Sequence, residues 1–210
     1  MQPLAEFAAL MAGTEPPLDR SLAVLAAAVR PSVHVEEVLA QFDAVAASCQ
    51  GTDADSLCAE LFGPAGFLPN RSDYYSPANS LIDLVLERRT GIPITLAAVA
   101  IEVGRRNGVG LVGIGMPGHF LLRSASDSSR FYDTFDLGRP LDRAGCCRRC
   151  AELGGPDIQL LDAHLEPVGS RVIMGRVLNN LQVAASQSGD VSVAAMVQRI
   201  RVMLSGVTLN

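Results

Sequence analysis

Residues 91–123 read GIPITLAAVAIEVGRRNGVGLVGIGMPGHFLLR, and the change of texture inside this stretch decides the fold. Pro93 suits the first turn of a helix, where its missing N–H would have had no partner. Leu96, Val99, Ala100 and Val103 then recur at helical spacing, and Arg105, Arg106 and Asn107 close the helix with cations at its negative end. Through Ile101 this helix is nearly all apolar, so it is expected at the centre of the molecule. From Gly110 onward strand patterns take over, at 111–116, 119–123 and 131–135, with Ser, Asp and Gly between them. A buried helix followed by closely linked strands implies an α+β fold with a small antiparallel sheet.

Upstream, Leu4, Phe7, Ala8 and Met11, then Leu22, Leu25 and Ala26, then Val35, Val38, Leu39, Phe42 and Val45 predict helices broken at residues 13–17 and at Pro31. A short helix is expected over 53–61, before a turn-rich run. Ser76 and Pro77 then read as N-cap and first position of a helix with its apolar stripe at Leu81, Leu84 and Val85, ending near Gly91. Downstream, residues 137–156 read as loop, 158–161 as a short strand, and 172–185 and 191–204 as helices. The division is a helical N-terminal lobe (1–62), a core (63–165) and a C-terminal helical segment (166–210), integrated as one domain at this length.

Composition excludes several functions. All 17 basic residues are arginine, so no lysine Schiff base or lysine acid–base step is available. A net charge of −5 gives no global attraction for nucleic acid or an anionic membrane. The longest apolar runs, 22–29 and 92–101, are about half the roughly 20 residues of a spanning helix, and no secretory leader is read at the start. Five cysteines without framework spacing fit a reducing compartment, and a cytoplasmic location is expected.

Within the strand region, a five-residue loop over 124–128 centred on Ser126 would pair Arg123 with Ser129, Leu121 with Phe131 and His119 with Asp133. Opposed residues share a face with Cβ atoms about 5 Å apart. A carboxylate there fixes the imidazole tautomer and stabilises the imidazolium. The alternative is a histidine satisfied for structural reasons.

The runs Asp73, Tyr74, Tyr75, Pro77, Asn79 and Ser80; Leu86 to Arg89 with Gly91 to Leu96; and Pro117 to Phe120 resemble, in order and spacing, the SirB-type transglutaminase-like family. The similarity covers about residues 22–182, including Arg176 and Leu178 to Leu181. It implies a papain-like core in which a helix N-terminus faces a small antiparallel sheet, aligning cysteine, histidine and aspartate. His119 and Asp133 match the last two roles. In the active pattern a cysteine opens the helix with alanine four residues on and glycine fifteen residues on, and Ala97 and Gly108 put that position at Pro93, which has no nucleophile. The resemblance also makes Tyr74, Tyr75, Asn79 and Thr95 candidate binding residues.

Substitute nucleophiles are weak. Thr95 lies about half a turn round the helix from Pro93, and Cys58 could approach only through tertiary packing. Cys146, Cys147 and Cys150 include a C-x-x-C, yet no second pair follows for the four ligands of a closed zinc site, so no metal is expected. Arg139, Arg143, Arg148 and Arg149 form a basic cluster that either receives an acidic group or is a solvated face. Gly113, Gly115 and Gly118 are no dinucleotide fingerprint because a strand follows them, and no cofactor is expected. The expectation is a non-catalytic protein with a binding or regulatory role that uses the surface around His119 to hold a peptide or partner protein. The alternative is a hydrolase or acyl-transfer enzyme built on His119 and Asp133.

Overall fold

A computed structural model of the chain describes residues 3–154 and 159–205. The N-terminal periodicity folds as α1 (Pro3–Ala12), α2 (Leu18–Val29), α3 (Val35–Ser48) and α4 (Ala54–Leu61). α2 is buried almost all round, packed by α1 and α3 and by later helices. A two-residue parallel ribbon follows, β1 (Leu68–Pro69) with β2 (Thr90–Gly91).

The helix expected from Ser76 to Gly91 is split. Pro77–Asn79 form a 3-10 turn, Leu81 is extended, and α5 runs only over Ile82–Arg88. The break has a cause: the Asn79 amide is drawn sideways to the carbonyls of Asp73 and Tyr74, and the Asn79 carbonyl accepts a hydroxyl from the next helix. Local side-chain bonds of this kind compete with helix propagation.

That next helix, α6 (Pro93–Arg106), starts at Pro93 and is central, with residues 93–100 all buried. Its far end meets the N-terminal helices through ions: Arg106 bonds Asp19 at 2.8 Å and Asp43 at 2.7 Å, and Glu102 lies between Arg105 and Arg106.

The main sheet is antiparallel, ordered β6–β5–β4–β3–β7, with β3 (Leu111–Ile114), β4 (Leu121–Ser124), β5 (Phe131–Asp133), β6 (Arg139–Leu141) and β7 (Pro167–Val168). Both edge strands are short and each contains a proline, Pro140 or Pro167. Both faces are covered. Leu122 and Tyr132 join the core under the helices, whereas Leu121 and Phe131 join a second apolar cluster with Cys146 and Cys150. That is why β4 reads as a continuous apolar run instead of an alternating one.

Three expectations are corrected. The β4–β5 register is shifted by two: Arg123 faces Phe131 and Leu122 faces Tyr132. The loop keeps five residues but is centred on Asp127, whose carboxylate accepts the Ser129 N–H and hydroxyl. Residues 137–156, expected to be loop, contain β6 and α7 (Arg143–Gly154). The strand expected at 158–161 does not form over 159–161, and Ile158 lies outside the described residues; β7 fills the place beside β3. α8 (Ser170–Ser188) and α9 (Val191–Ser205) complete the described chain.

Candidate functional site

His119 is presented by a tight turn. Pro117 and Gly118 are its central residues, and the His119 N–H donates to the Met116 carbonyl at 3.2 Å. Gly118 has φ +68°, the left-handed conformation that the third position of a type II turn requires and that glycine adopts without strain. Arg176 of α8 clamps the same turn, donating to the carbonyls of Gly115 at 2.7 Å, Met116 at 3.3 Å and His119 at 3.4 Å.

The imidazole Nε2 lies 2.9 Å from Asp133 Oδ1. A register shift of two preserves the face of each side chain, so His119 stays on the Asp133 side of the sheet and meets it diagonally. Both are buried, His119 at 8% and Asp133 at 2% exposure. Asp133 has two further donors, the Phe135 N–H at 2.9 Å and Arg149 Nε of α7 at 2.6 Å. Burial alone would raise the Asp133 pKa, but the hydrogen bond and charge of His119 and the nearby Arg149 guanidinium outweigh it and hold the carboxyl below its ordinary value.

With Nε2 on the carboxylate, Nδ1 is the ring nitrogen left for the cleft. That cleft is about 400 Å³ and is lined by His119, Pro93, Tyr74, Arg176, Asn179 and Asn180, among others. Pro93 thus stands at the positive end of α6 beside the histidine, and its carbonyl is held by the Thr134 hydroxyl at 3.0 Å, next door to Asp133. Among the described residues lining the cleft there is a histidine bonded to a carboxylate and no cysteine, serine or threonine.

Of the residues expected to bind, Tyr74 lines the cleft and packs edge-on against Phe135, with ring centroids 5.7 Å apart. Tyr75 is exposed beside it, 5.2 Å from the Tyr74 ring. Asn79 and Thr95 are fully buried with their polar atoms committed. Asn79 Oδ1 accepts from Asn70 at 2.9 Å; Thr95 Oγ1 donates to the Asn79 carbonyl at 2.7 Å and accepts the Ile92 N–H at 3.2 Å. Neither lines the cleft, and the Thr95 hydroxyl is taken up by backbone partners. Thr95→Val is expected to cost about 1–3 kcal/mol, because it strands a buried N–H and a buried carbonyl. Urea unfolding measures this, and wild-type stability in the variant would mean the hydroxyl is dispensable.

Cys58 is a core thiol pushed up to about 12 by burial, as is Cys146. Cys146 and Cys150 point to the buried side of α7, while Cys147 is half-buried, 3.7 Å from Arg143. Among the described residues no three His, Cys, Asp or Glu side chains gather as a metal site, and no helix is long and apolar enough to cross a membrane. Three of the four arginines of the basic cluster make internal pairs, Arg139 with Asp136, Arg143 with Asp162, and Arg149 with Asp133 and Glu152, and Arg148 is exposed. Two site residues escaped the sequence reading. Arg149 had been placed in the cluster and Arg176 in the family-like run, neither with a role at His119.

A family model described as the Transglutaminase-like superfamily matches residues 18–179. Among curated proteins, a UPF0162 protein of Xylella fastidiosa is 44% identical over 125 residues, which are 58% of this chain and 44% of that one. A UPF0162 protein of Pseudomonas aeruginosa is 35% identical over 60% of this chain and 46% of its own. Human F-box only protein 21 is 41% identical over 64% of this chain and 22% of its own. The chain therefore spans less than half the length of these curated relatives. No solved structure matches.

Proposed function

This chain belongs to the transglutaminase-like superfamily, and on that premise we propose that it uses the His119 cleft to bind a segment of a partner protein without covalent chemistry. The observation that carries this reading is Pro93 at the first position of α6, lining the cleft beside His119. A papain-like mechanism needs a thiol there, where the helix end and the imidazole would favour the thiolate. Proline offers none, Thr95 is spent, and burial holds Cys58 and Cys146 as thiols. Five unpaired cysteines suit the reducing cytoplasm as its place of action, and the residue runs around Tyr74, Pro93 and His119 fit the SirB-type branch of the superfamily.

Purified protein is expected to give the same background turnover of p-nitrophenyl acetate and of glutamine-peptide amides as its His119→Ala variant. Turnover that disappears with His119 would overturn the non-catalytic reading.

The second reading, a hydrolase or acyl-transfer enzyme, is favoured by one observation: the bonded His119–Asp133 pair lines an open cleft. Nδ1 would take the proton of a water or substrate hydroxyl, with Asp133 stabilising the imidazolium. The same assay decides it, since this reading requires loss of rate on His119→Ala.

A further inference from the structure

The chain carries 22 acidic residues against 17 basic ones, yet along α8 that balance reverses. The His119 cleft shares Arg176 and Asn179 with a second hollow of about 460 Å³, bordered by α1, α8 and α9. Met11, Met174, Leu178 and Leu204 give this hollow its apolar lining, and Arg171 and Arg201 its charge. Among the described residues, no aspartate or glutamate lines either hollow.

Arg20, Arg106 and Arg149 each meet two or more carboxylates. Arg176 donates only to carbonyls and lies over the Phe120 ring, 5.9 Å from its centroid. Arg171 Nη1 reaches the Gly13 carbonyl at 3.5 Å, and its buried Nη2 has no partner among the described residues. Arg201 bonds the Asn179 amide oxygen. Three guanidinium groups on adjoining hollows thus have no carboxylate partner among the described residues, and the exposed Val172 lies beside them. Arginine in such a setting favours carboxylates, which it can hold through paired N–H donors.

We propose that the two hollows form one groove along α8 that holds an extended acidic segment of a partner protein, its carboxylates on Arg171, Arg176 and Arg201 and its apolar side chains on the surface between them. The proposal rests on the non-covalent reading of the His119 cleft and names the chemistry of its ligand. A peptide supplies both charge and apolar side chains, whereas a phosphate backbone would leave the exposed Val172 uncovered.

The test uses a fluorescein-labelled peptide of Glu-Glu-Leu repeats and its Gln-Gln-Leu counterpart, titrated by anisotropy against the full chain. The Glu peptide is expected to bind at least about 10-fold tighter than the Gln peptide, with a preference that weakens as salt is added. Arg171→Gln with Arg201→Gln is expected to abolish most of that preference, and Arg171→Lys with Arg201→Lys to keep much of it, which separates lost charge from lost folding. Equal binding of the two peptides, no binding of either, or capture of phosphatidylserine vesicles in place of the Glu peptide would overturn the proposal. Pro93→Trp, which fills the His119 cleft, distinguishes the two readings. Binding lost in Pro93→Trp but untouched by the Gln pair overturns the acidic groove and leaves the cleft as a binding site. Binding lost in the Gln pair but untouched by Pro93→Trp keeps the groove and removes the His119 cleft from it.

Discussion

Pro93→Cys, made in a Cys147→Ser background, is expected to create a thiol that reacts with iodoacetamide at neutral pH about 10- to 100-fold faster than an ordinary exposed cysteine. The new sulfur would stand at the first position of a 14-residue helix, where the unsatisfied N–H groups carry partial positive charge. His119 borders the same cleft, and Asp133 is already in place to hold the imidazolium. His119→Ala in the same background is therefore expected to remove most of the gain. The remaining native thiols will not obscure the reading, because Cys49, Cys58, Cys146 and Cys150 are all buried, and burial raises Cys58 and Cys146 to about 12. A sluggish thiol at position 93 would mean that more than one atom separates this cleft from a reactive one. A fast thiol would mean that the scaffold still supports the chemistry and that proline alone withholds it.

Asp133→Ala is expected to have the largest effect on stability, about 3–5 kcal/mol, because removing one partner of a buried charge pair leaves the other uncompensated. Three donors converge on this carboxylate: His119 Nε2, Arg149 Nε and the Phe135 N–H. Asp133→Asn, which keeps one acceptor oxygen, should lose less. The effect has a defined pH dependence. The folded pKa lies below the ordinary 3.8, so the carboxylate's contribution is complete above that value and is lost as pH falls through the depressed folded pKa. Urea unfolding of wild type and Asp133→Ala at neutral pH should differ by the full amount, and the gap should begin to narrow below about pH 3.8 and go on narrowing as pH falls through the depressed folded pKa. A gap that stays constant into acid would show that the loss comes from packing and not from charge.

Much of this arrangement was legible in the residues. The apolar spacing from Leu96 to Val103 marked α6 as central, and the distance between His119 and Asp133 put them on one face of a hairpin. The pairing was still two residues out, because it turned on which residue anchors the loop: Asp127 holds Ser129 with its side chain, and nothing in the spacing ranked it above Ser126. α7 was missed for a different reason. Its sequence, RAGCCRRCAELG, has few aliphatic residues to reveal a period, and its buried face is made by Cys146 and Cys150, four apart. A cysteine counted as a hydrophobe would have exposed that helix, and with it the route by which Arg149 reaches Asp133. The committed state of Thr95 and Asn79 depends on contacts between separate elements, which one-dimensional spacing cannot carry.

The margins of the main sheet restrict how a partner can attach. β6 is three residues long with Pro140 in its middle, and β7 is two residues long and begins with Pro167. Proline brings no backbone N–H to a ladder, and such abbreviated margins offer a newcomer almost no row of donors and acceptors to zip onto. Recruitment by β-augmentation, a common way for extended segments to dock, is therefore closed to this sheet. So is edge-to-edge stacking of one copy on another. A guest held as proposed would be gripped through side chains and not by pairing with this sheet, and selectivity would then follow the residue sequence of the guest rather than its willingness to become a strand.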